Sequence, residues 1–418
     1  MNAKWRMLVV QLTRRLWFRS ALYGLAGVLT ALLGAVARRW IPDDIASQIG
    51  VSAVGNILGI LASSMLAVTT FSLSTMVASY TAASSNATPR VATLLIENAS
   101  AQSALASFIG VFLFSIVGLI ALSTGIYGNS GRLVLFVATI VMIIMVVVTL
   151  LRWIDQLSRL GRVTETIDRV EKAARDAMRK MAQKPRFGAA PYQSPPTDAI
   201  PFESRDIGYI AYIDVARLQD LAEKEEMRVW VEVTAGSFVA PGRPIARFNR
   251  TVDEDLAKRI DSAFVINDTR NFDQDPRFGL VVLTEIAVRA LSPAINDPGT
   301  AIDVLGTATR LLCRWAQARQ EAEPEEVEYD RVFVPELDDR EYFEDVFSPL
   351  GRDSASLLEV AIRLQKSLAT LGQLGYPPYR EAAAQQAERA LKFIAKSNTL
   401  ESDQRMLQGI ASWRSANG

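Results

Sequence analysis

Residues 51–80 read VSAVGNILGILASSMLAVTTFSLSTMVASY, and no charged residue occurs between Asp44 and Arg90. The stretch is apolar enough to enter a bilayer, yet it is crowded with Ser, Thr, Gly and Ala. As a helix rising ~1.5 Å per residue it reaches about 45 Å, longer than a hydrocarbon core of ~30 Å. Such a helix must tilt or project from the membrane. Its small polar residues recur at steps of three, four and seven: Asn56, Ser63, Ala67, Thr70, Ser74, Ala78, Thr81 and Ser85. That spacing places them on one helical face. In lipid, small residues let backbones approach, and hydroxyls seek partners on a neighbouring helix or in a wet cavity. The stretch is therefore expected to be the inner helix of a membrane bundle. Its face either packs tightly or lines a solvent path, and Asn56, Ser63, Thr70, Ser74 and Thr81 are the pore-lining candidates.

Three further apolar runs flank it, at 20–37, 104–126 and 133–151, for four expected spans. Gly110, Gly118 and Gly125 mark close-approach points in the third, and the last is almost uniformly aliphatic, as suits a lipid-facing helix. Residues 1–19 place Trp5, Leu8, Val9, Leu12 and Leu16 on one face among Lys4, Arg6, Arg14, Arg15 and Arg19, the pattern of a helix lying in an anionic interface. Ala35-Val36-Ala37 resembles a leader cleavage site, but the preceding run is too long for a leader core. Cations cluster before the first span and after the fourth (Arg152, Arg159, Arg162, Arg169, Lys172). Both ends are thus expected in the cytoplasm. No Asp, Glu, Lys or Arg lies inside a span, which disfavours proton relays and voltage sensing.

The 418 residues hold 45 Lys+Arg and 45 Asp+Glu, so no global field favours nucleic acid. There is no histidine, which removes imidazole acid–base work, His-containing triads and His metal ligands. The single cysteine, Cys313, sits in an apolar helical pattern and reads as a structural thiol. No phosphate loop, dinucleotide fingerprint, nucleophile elbow or EF-hand is present. Asp273/Asp275 and Asp338/Asp339 lack further ligand spacing and read as solvated loop carboxylates. No catalytic residue, cofactor or metal is expected.

Beyond the fourth span, Trp153, Leu157, Leu160, Ile167, Val170, Ala174, Ala177 and Met181 continue a helical seam. This predicts an unbroken stalk over 152–183, with a seam that pairs with a neighbouring subunit or packs on the chain's own domain. Residues 184–206 hold five prolines and read as a linker. A small α/β unit over 207–266 follows: strands at 208–213, 228–233 and 245–248, a helix capped by Asp214, and another opened by a Thr251-x-x-Glu254 capping box. Residues 231–248, VEVTAGSFVAPGRPIARF, resemble the β-hammerhead of biotinyl and lipoyl carriers in their glycine and proline spacing, but the modified lysine has no counterpart. Residues 267–418 read as mainly helical. Asp275-Pro276 and Asp297-Pro298 are matched helix starts, N-cap then proline, separated by the rigid corner Ser292-Pro293-Ala294-Ile295-Asn296. Ser292, Asn296 and Asp297 are the candidate binding residues there, for an anion or a partner carboxylate at the second helix start. Residues 321–328 form an acidic loop expected to be mobile, 331–335 a strand, and 354–371, 378–397 and 402–415 helices.

The pairs Ser84-Ser85 and Pro89-Arg90, the FGL of 278–280 and the run RALSPAINDPGTA of 289–301 carry a family likeness. With the four spans and the hammerhead-like segment, the chain resembles the bacterial predicted membrane proteins of domain of unknown function 2254. Ala294 stands where that pattern has glycine. The resemblance implies a location in the bacterial cytoplasmic (inner) membrane, a membrane part of four helices and a cytoplasmic C-terminal domain, and brings no activity or catalytic residues. The expected fold is an α-helical membrane domain (20–151) followed by a cytoplasmic α+β domain with a hammerhead-like unit and a helical C-terminal part. The expected function is a homo-oligomeric channel or transport pathway for a small ion in the lipid bilayer, with a cytoplasmic assembly or gating domain. The alternative is a membrane-anchored scaffold or sensor whose cytoplasmic domain binds a protein or anionic ligand.

Overall fold

A computed structural model describes residue 18 and residues 21–26, 28–30, 51–91, 94, 99–124, 129–159 and 161–414. The chain divides into two compact units, Met7–Glu165 and Thr166–Gly418.

The first unit is helical. Helices α1 (Val51–Asn86), α2 (Ala99–Ser123) and α3 (Asn129–Arg159) pack on one another. Each contains a segment long and apolar enough to cross a membrane: Ser52–Ala82, Ala101–Ser123 and Gly131–Leu157. Leu61 and Met65 of α1 meet Phe108 and Val111 of α2 and Val146 of α3; Val54 and Leu58 join Phe114 and Leu135 in a second cluster. Gly118 permits this approach, since an added Cβ would lie 3.2 Å from Leu135 Cδ1 and 3.4 Å from Leu58 Cδ1. α2 is the most enclosed helix and α3 the least; α3 exposes Val141, Ile144, Val147, Val148 and Leu151, a surface suited to acyl chains.

Of the span expected at 20–37, residues 21–26 and 28–30 are described and helical. Tyr23 abuts Gly110 so closely that an added Cβ there would lie 2.8 Å from the Tyr23 carbonyl oxygen, and Gly24 faces Leu113. The rest of that span, Gly125 and, apart from Phe18, the interfacial helix of 1–19 lie outside the described residues.

The predicted unbroken stalk is interrupted. α3 ends at Arg159 and α4 (Val163–Gln183) starts four residues later, with Gly161 between them at φ +84°. A left-handed glycine terminates a helix because it turns the chain without a Cβ penalty. The seam Ile167, Val170, Ala174, Ala177 and Met181 is buried. A Cβ added to Gly279 would lie 2.3 Å from Ala174 Cβ, so the seam packs on the chain's own second unit, not on a neighbouring subunit.

That unit holds two sheets. The larger has the order β1 (Ala189–Pro191), β8 (Tyr329–Val334), β4 (Val229–Val231), β6 (Pro244–Phe248), β2 (Ile200–Glu203). β8 runs parallel to both its neighbours, and the other pairs are antiparallel. The smaller places β3 (Gly208–Ile213) between β5 (Phe238–Val239) and β7 (Phe264–Asn267). The 184–206 stretch is thus no mere linker, because β1 and β2 within it pair with β8 and β6. Helices α5 (Val215–Lys224) and α6 (Glu254–Asp261) close one core with Val229, Val231, Phe248 and Val332. On the opposite face Trp230 stacks on Phe333, 5.5 Å between ring centres.

Asp214 caps α5 through the Arg217 amide, 3.2 Å away. The cap of α6 is Asp253, which accepts from the Leu256 amide at 2.8 Å, and not Thr251 as the capping-box spacing predicts. A carboxylate two residues closer to the helix supplies the stronger acceptor. The acidic loop of 321–328 is anchored. Glu325 accepts from the amides of Arg186 (3.0 Å) and Gly188 (2.6 Å), and Glu328 pairs with Lys184 at 2.5 Å.

Six helices complete the unit: α7 (Pro276–Ala290), α8 (Pro298–Glu321), α9 (Asp339–Asp353), α10 (Leu358–Gly372), α11 (Pro377–Ala395) and α12 (Glu401–Ile410). α7 packs on α8 and α9, α9 on α11, and α10 on α8 and α11. Tyr342, Phe343, Phe347 and Tyr379 are fully buried between them. No helix is predicted over 339–353, where α9 forms.

Candidate functional site

On α1 the buried side is Val54, Leu58, Leu61, Met65, Ser72 and Met76. Asn56, Ser63, Thr70, Ser74 and Thr81 are all exposed. At about 100° per residue the two sets fall on opposite sides of the helix. The polar stripe is therefore turned away from the described helices of its bundle. Its hydroxyls bond back to the carbonyls one turn earlier: Ser63 to Gly59 (3.1 Å), Thr70 to Leu66 (2.9 Å) and Thr81 to Val77 (3.0 Å). Back-bonding satisfies a hydroxyl without any partner helix. Asn56 and Ser74 have no hydrogen-bond partner among the described residues. Exposed Ile60 and Phe71 border the stripe on one side, and Leu66, Leu73 and Val77 on the other. The result is a narrow uncharged track between large apolar side chains.

A hydroxyl outside that stripe does reach another helix. Trp153 of α3 donates its indole N–H to Ser72 Oγ at 2.8 Å, inside the bundle. Trp153 belongs to the seam in the sequence reading, and Ser72 is one serine among many. The signal for the pair is weak: a serine on the apolar side of a span, and a tryptophan at the end of another.

The second candidate lies where α7 gives way to α8. Ile295 and Asn296 donate their amides to the Ser292 carbonyl (3.0 and 2.9 Å), and the Asp297 amide closes the turn on Ala290 O at 2.8 Å. Ser292 Oγ donates to Arg289 O at 2.7 Å. Asn296 sits at φ +47°, a conformation asparagine tolerates better than most residues. Asp297 accepts from the Thr300 hydroxyl (2.7 Å) and amide (3.1 Å); these bonds hold its carboxyl below the usual aspartate range. Ser292, Asn296 and Asp297 thus meet in one turn, with Asn296 and Asp297 at the surface. The amides at the start of α8 already have a carboxylate, so an external anion competes with Asp297 for them. A depression of about 590 Å³ lined by Ser292, Arg289, Glu285 and Arg352 lies beside the turn.

The matched start at α7 has a different environment. Asp275 is almost fully buried. It accepts from the Phe278 amide (3.1 Å) and takes a two-pronged bond from Arg270, Nε at 2.6 Å and Nη2 at 2.9 Å. Burial pushes its carboxyl up, and the Arg270 bonds oppose that shift. Gly236, at φ +89°, is required there: a Cβ would lie 2.3 Å from Asp275 Oδ2. Arg277 grips Asp345 at 2.8 and 3.0 Å and also bonds Glu341.

The other carboxylates considered for a cation also meet proton donors. Asp338 bonds Arg340 and caps α9. Asp339 accepts from Trp315 Nε1 (2.7 Å) and Tyr376 OH (2.8 Å). Burial, reinforced by that carboxylate, pushes the Tyr376 hydroxyl up to about 12. Burial likewise raises the Cys313 thiol, which disfavours a reactive thiolate. Among the described residues no group of three or more His, Cys, Asp or Glu side chains is placed to hold a metal.

The family model described as "Predicted membrane protein (DUF2254)" matches residues 13–370. The chain belongs to this family. The three long apolar helices and the RALSPAINDPGTA corner of this DUF2254 protein both fall inside the matched range. It is also similar to an uncharacterized protein of Mycobacterium bovis and one of Mycobacterium tuberculosis, each 28% identical over 238 residues. These matches cover 52% of this chain and 44% of each relative, so the chain spans less than half the length of the curated relatives it matches. No solved structure matches this DUF2254 chain.

Proposed function

We propose that the protein forms an oligomer in the bacterial cytoplasmic membrane, with a permeation path for a small ion along the joined polar faces of α1. In this reading four helices cross the bilayer, both ends are cytoplasmic, and the second unit is an assembly or gating module. The observation that carries it is the direction of the stripe. Among the described residues Asn56, Ser63, Thr70, Ser74 and Thr81 face away from the helices of their own unit, a direction open to lipid, water or a second copy. An amide such as Asn56 is costly against acyl chains and inexpensive against water or another polar face. With no charge ring or carbonyl cage in the track, selectivity among small ions would be weak.

Planar-bilayer recording of the purified full chain tests this. Discrete conductance is expected, blocked by hydrophilic thiol reagents in Ser63→Cys, Thr70→Cys and Ser74→Cys variants carrying Cys313→Ser. Absence of conductance, together with no labelling of these cysteines, would falsify it.

A second reading, a membrane-anchored scaffold or sensor, is favoured by the surface corner at 292–297. There Asn296 and Asp297 are presented on a turn pinned at both ends, beside an open depression. A folded protein with no conductance favours this reading over the first.

A further inference from the structure

The outer side of α4 and the facing side of α8 form an apolar groove of about 230 Å³. Met178, Leu311 and Trp315 floor it, and Arg175, Arg179 and Arg314 stand at its rim. Arg310, on the same helix as Arg314, is paired with Glu171 across the two helices at 2.7 Å. The rim arginines are not neutralised in this way. Among the described residues Arg175 and Arg314 have no ion-pair or hydrogen-bond partner, and Arg179 reaches only Asp176, at 4.0 Å. All three are exposed.

Arg179 and Ala318 also line a second depression, of about 570 Å³, which continues the groove past the end of α8. Its wall carries Glu321, Glu323 and Glu326. These glutamates are exposed and likewise without a partner among the described residues. Their neighbours Glu325 and Glu328 are occupied by Arg186, Gly188 and Lys184, and those contacts fix the loop in place. One continuous surface therefore carries Arg175 and Arg314, without a partner among the described residues, and the weakly paired Arg179 around an apolar floor, and beyond them three glutamates without a partner among the described residues.

We infer that this groove docks a second copy of the same chain in an isologous contact. A two-fold axis near Ala318 sets the arginines of one copy over the glutamates of its partner, and the reverse. A patch that carries both signs in sequence is its own complement under two-fold rotation, which is the requirement for a closed symmetric pair. A small anion would use the arginine end alone and leave the glutamates unmatched. The apolar floor supplies contact area, and the charges set register and suppress other partners. This inference rests on the proposed oligomer and adds a contact in the second unit to the one proposed at α1.

The test uses the full chain in detergent with Cys313→Ser and a spin label at Gln317→Cys, an exposed position on α8, read by inter-chain dipolar distance. A defined short distance is expected in the parent. It should be lost in Arg175→Glu/Arg179→Glu/Arg314→Glu and in Glu321→Arg/Glu323→Arg/Glu326→Arg. It should return when both sets are combined in one chain, because the reversed charges are again complementary. Circular dichroism confirms that each variant folds, and the combined variant guards against loss by misfolding. No inter-chain distance in the parent, as a groove filled by a small anion would give, overturns the inference. So does a distance indifferent to either reversal, or one that the combination fails to restore. Disulfide formation between Ser63→Cys chains in the same preparation reports the α1 contact separately, so failure of the groove is distinguishable from failure of the oligomer.

Discussion

Ser72 and Trp153 are the residues that lock α3 to α1 by a polar contact inside the apolar bundle. Ser72→Ala leaves a buried indole N–H without an acceptor, and Trp153→Phe leaves a buried hydroxyl. Each should lower stability by about 1 kcal/mol, with a coupling in the double-mutant cycle of about 0.6–1.7 kcal/mol. Unfolding of the purified protein in mixed micelles measures it, and a coupling of zero would remove the pair from the account. Asp297 makes a different kind of contribution. Its folded pKa lies below the ordinary aspartate value of 3.8, so the stability it supplies is present above that value and is lost as the pH falls through the folded one. Asp297→Ala should cost about 1 kcal/mol at neutral pH, the worth of an N-cap. The gap between the two proteins should close progressively below pH 3.8, seen in melting curves across acid pH. Asp275, pushed the other way by burial, cannot produce this signature, because ionising it in the folded protein is opposed.

At the scale of elements, the contact of α4 with α7 is closer than ordinary helix packing because Gly279 faces Ala174. Gly279→Ala would bring two methyl groups to 2.3 Å, and neither side can yield without moving a helix backbone. A loss of about 1–3 kcal/mol is expected from overpacking, whereas the same change at Gly409, where an added Cβ meets nothing within 4 Å, should raise stability slightly through helix propensity. Thermal melts of the two variants make the comparison; equal effects would mean the α4–α7 contact is loose. The break at Gly161 belongs to this scale too. Every residue of the seam before and after it fits one helical repeat, so periodicity runs through the interruption. What stops the helix is a single backbone conformation that side-chain pattern does not encode.

For the whole molecule, each unit taken by itself exposes a distinctive surface among the described residues: the hydroxyl track of α1, and the groove between α4 and α8. Neither resembles the rest of its unit. The track is polar among exposed aliphatic side chains, and the groove is apolar within a charged surface. In the proposed oligomer a second copy would cover both surfaces.

Local chemistry was legible from the chain alone. The apolar runs at 51–80, 104–126 and 133–151 marked the three helices long and apolar enough to cross a membrane, because their length and lack of charge leave few alternatives. The caps at Asp214, Asp275 and Asp297 followed from short-range hydrogen bonding, as did the corner between α7 and α8. The two-residue error at Asp253 arose because neighbouring Thr and Asp compete for the same amides. The stripe on α1 was correctly placed on one face, but a helical repeat specifies a face without saying toward what it turns. That choice was made by Leu58, Leu61 and Met65, which bury the other side against α2 and α3. Likewise β1 and β2 are three and four residues long and hold together only through partners far along the chain. Proline-rich segments of that length carry no strand signal of their own. The burial of Asp275, the engagement of Glu325 and the lack of a partner for Arg175 and Arg314 among the described residues depend on which distant groups arrive beside them. Periodicity and capping act within a few residues and can be read in order; charge pairing and burial act across space, and only the folded chain settles them.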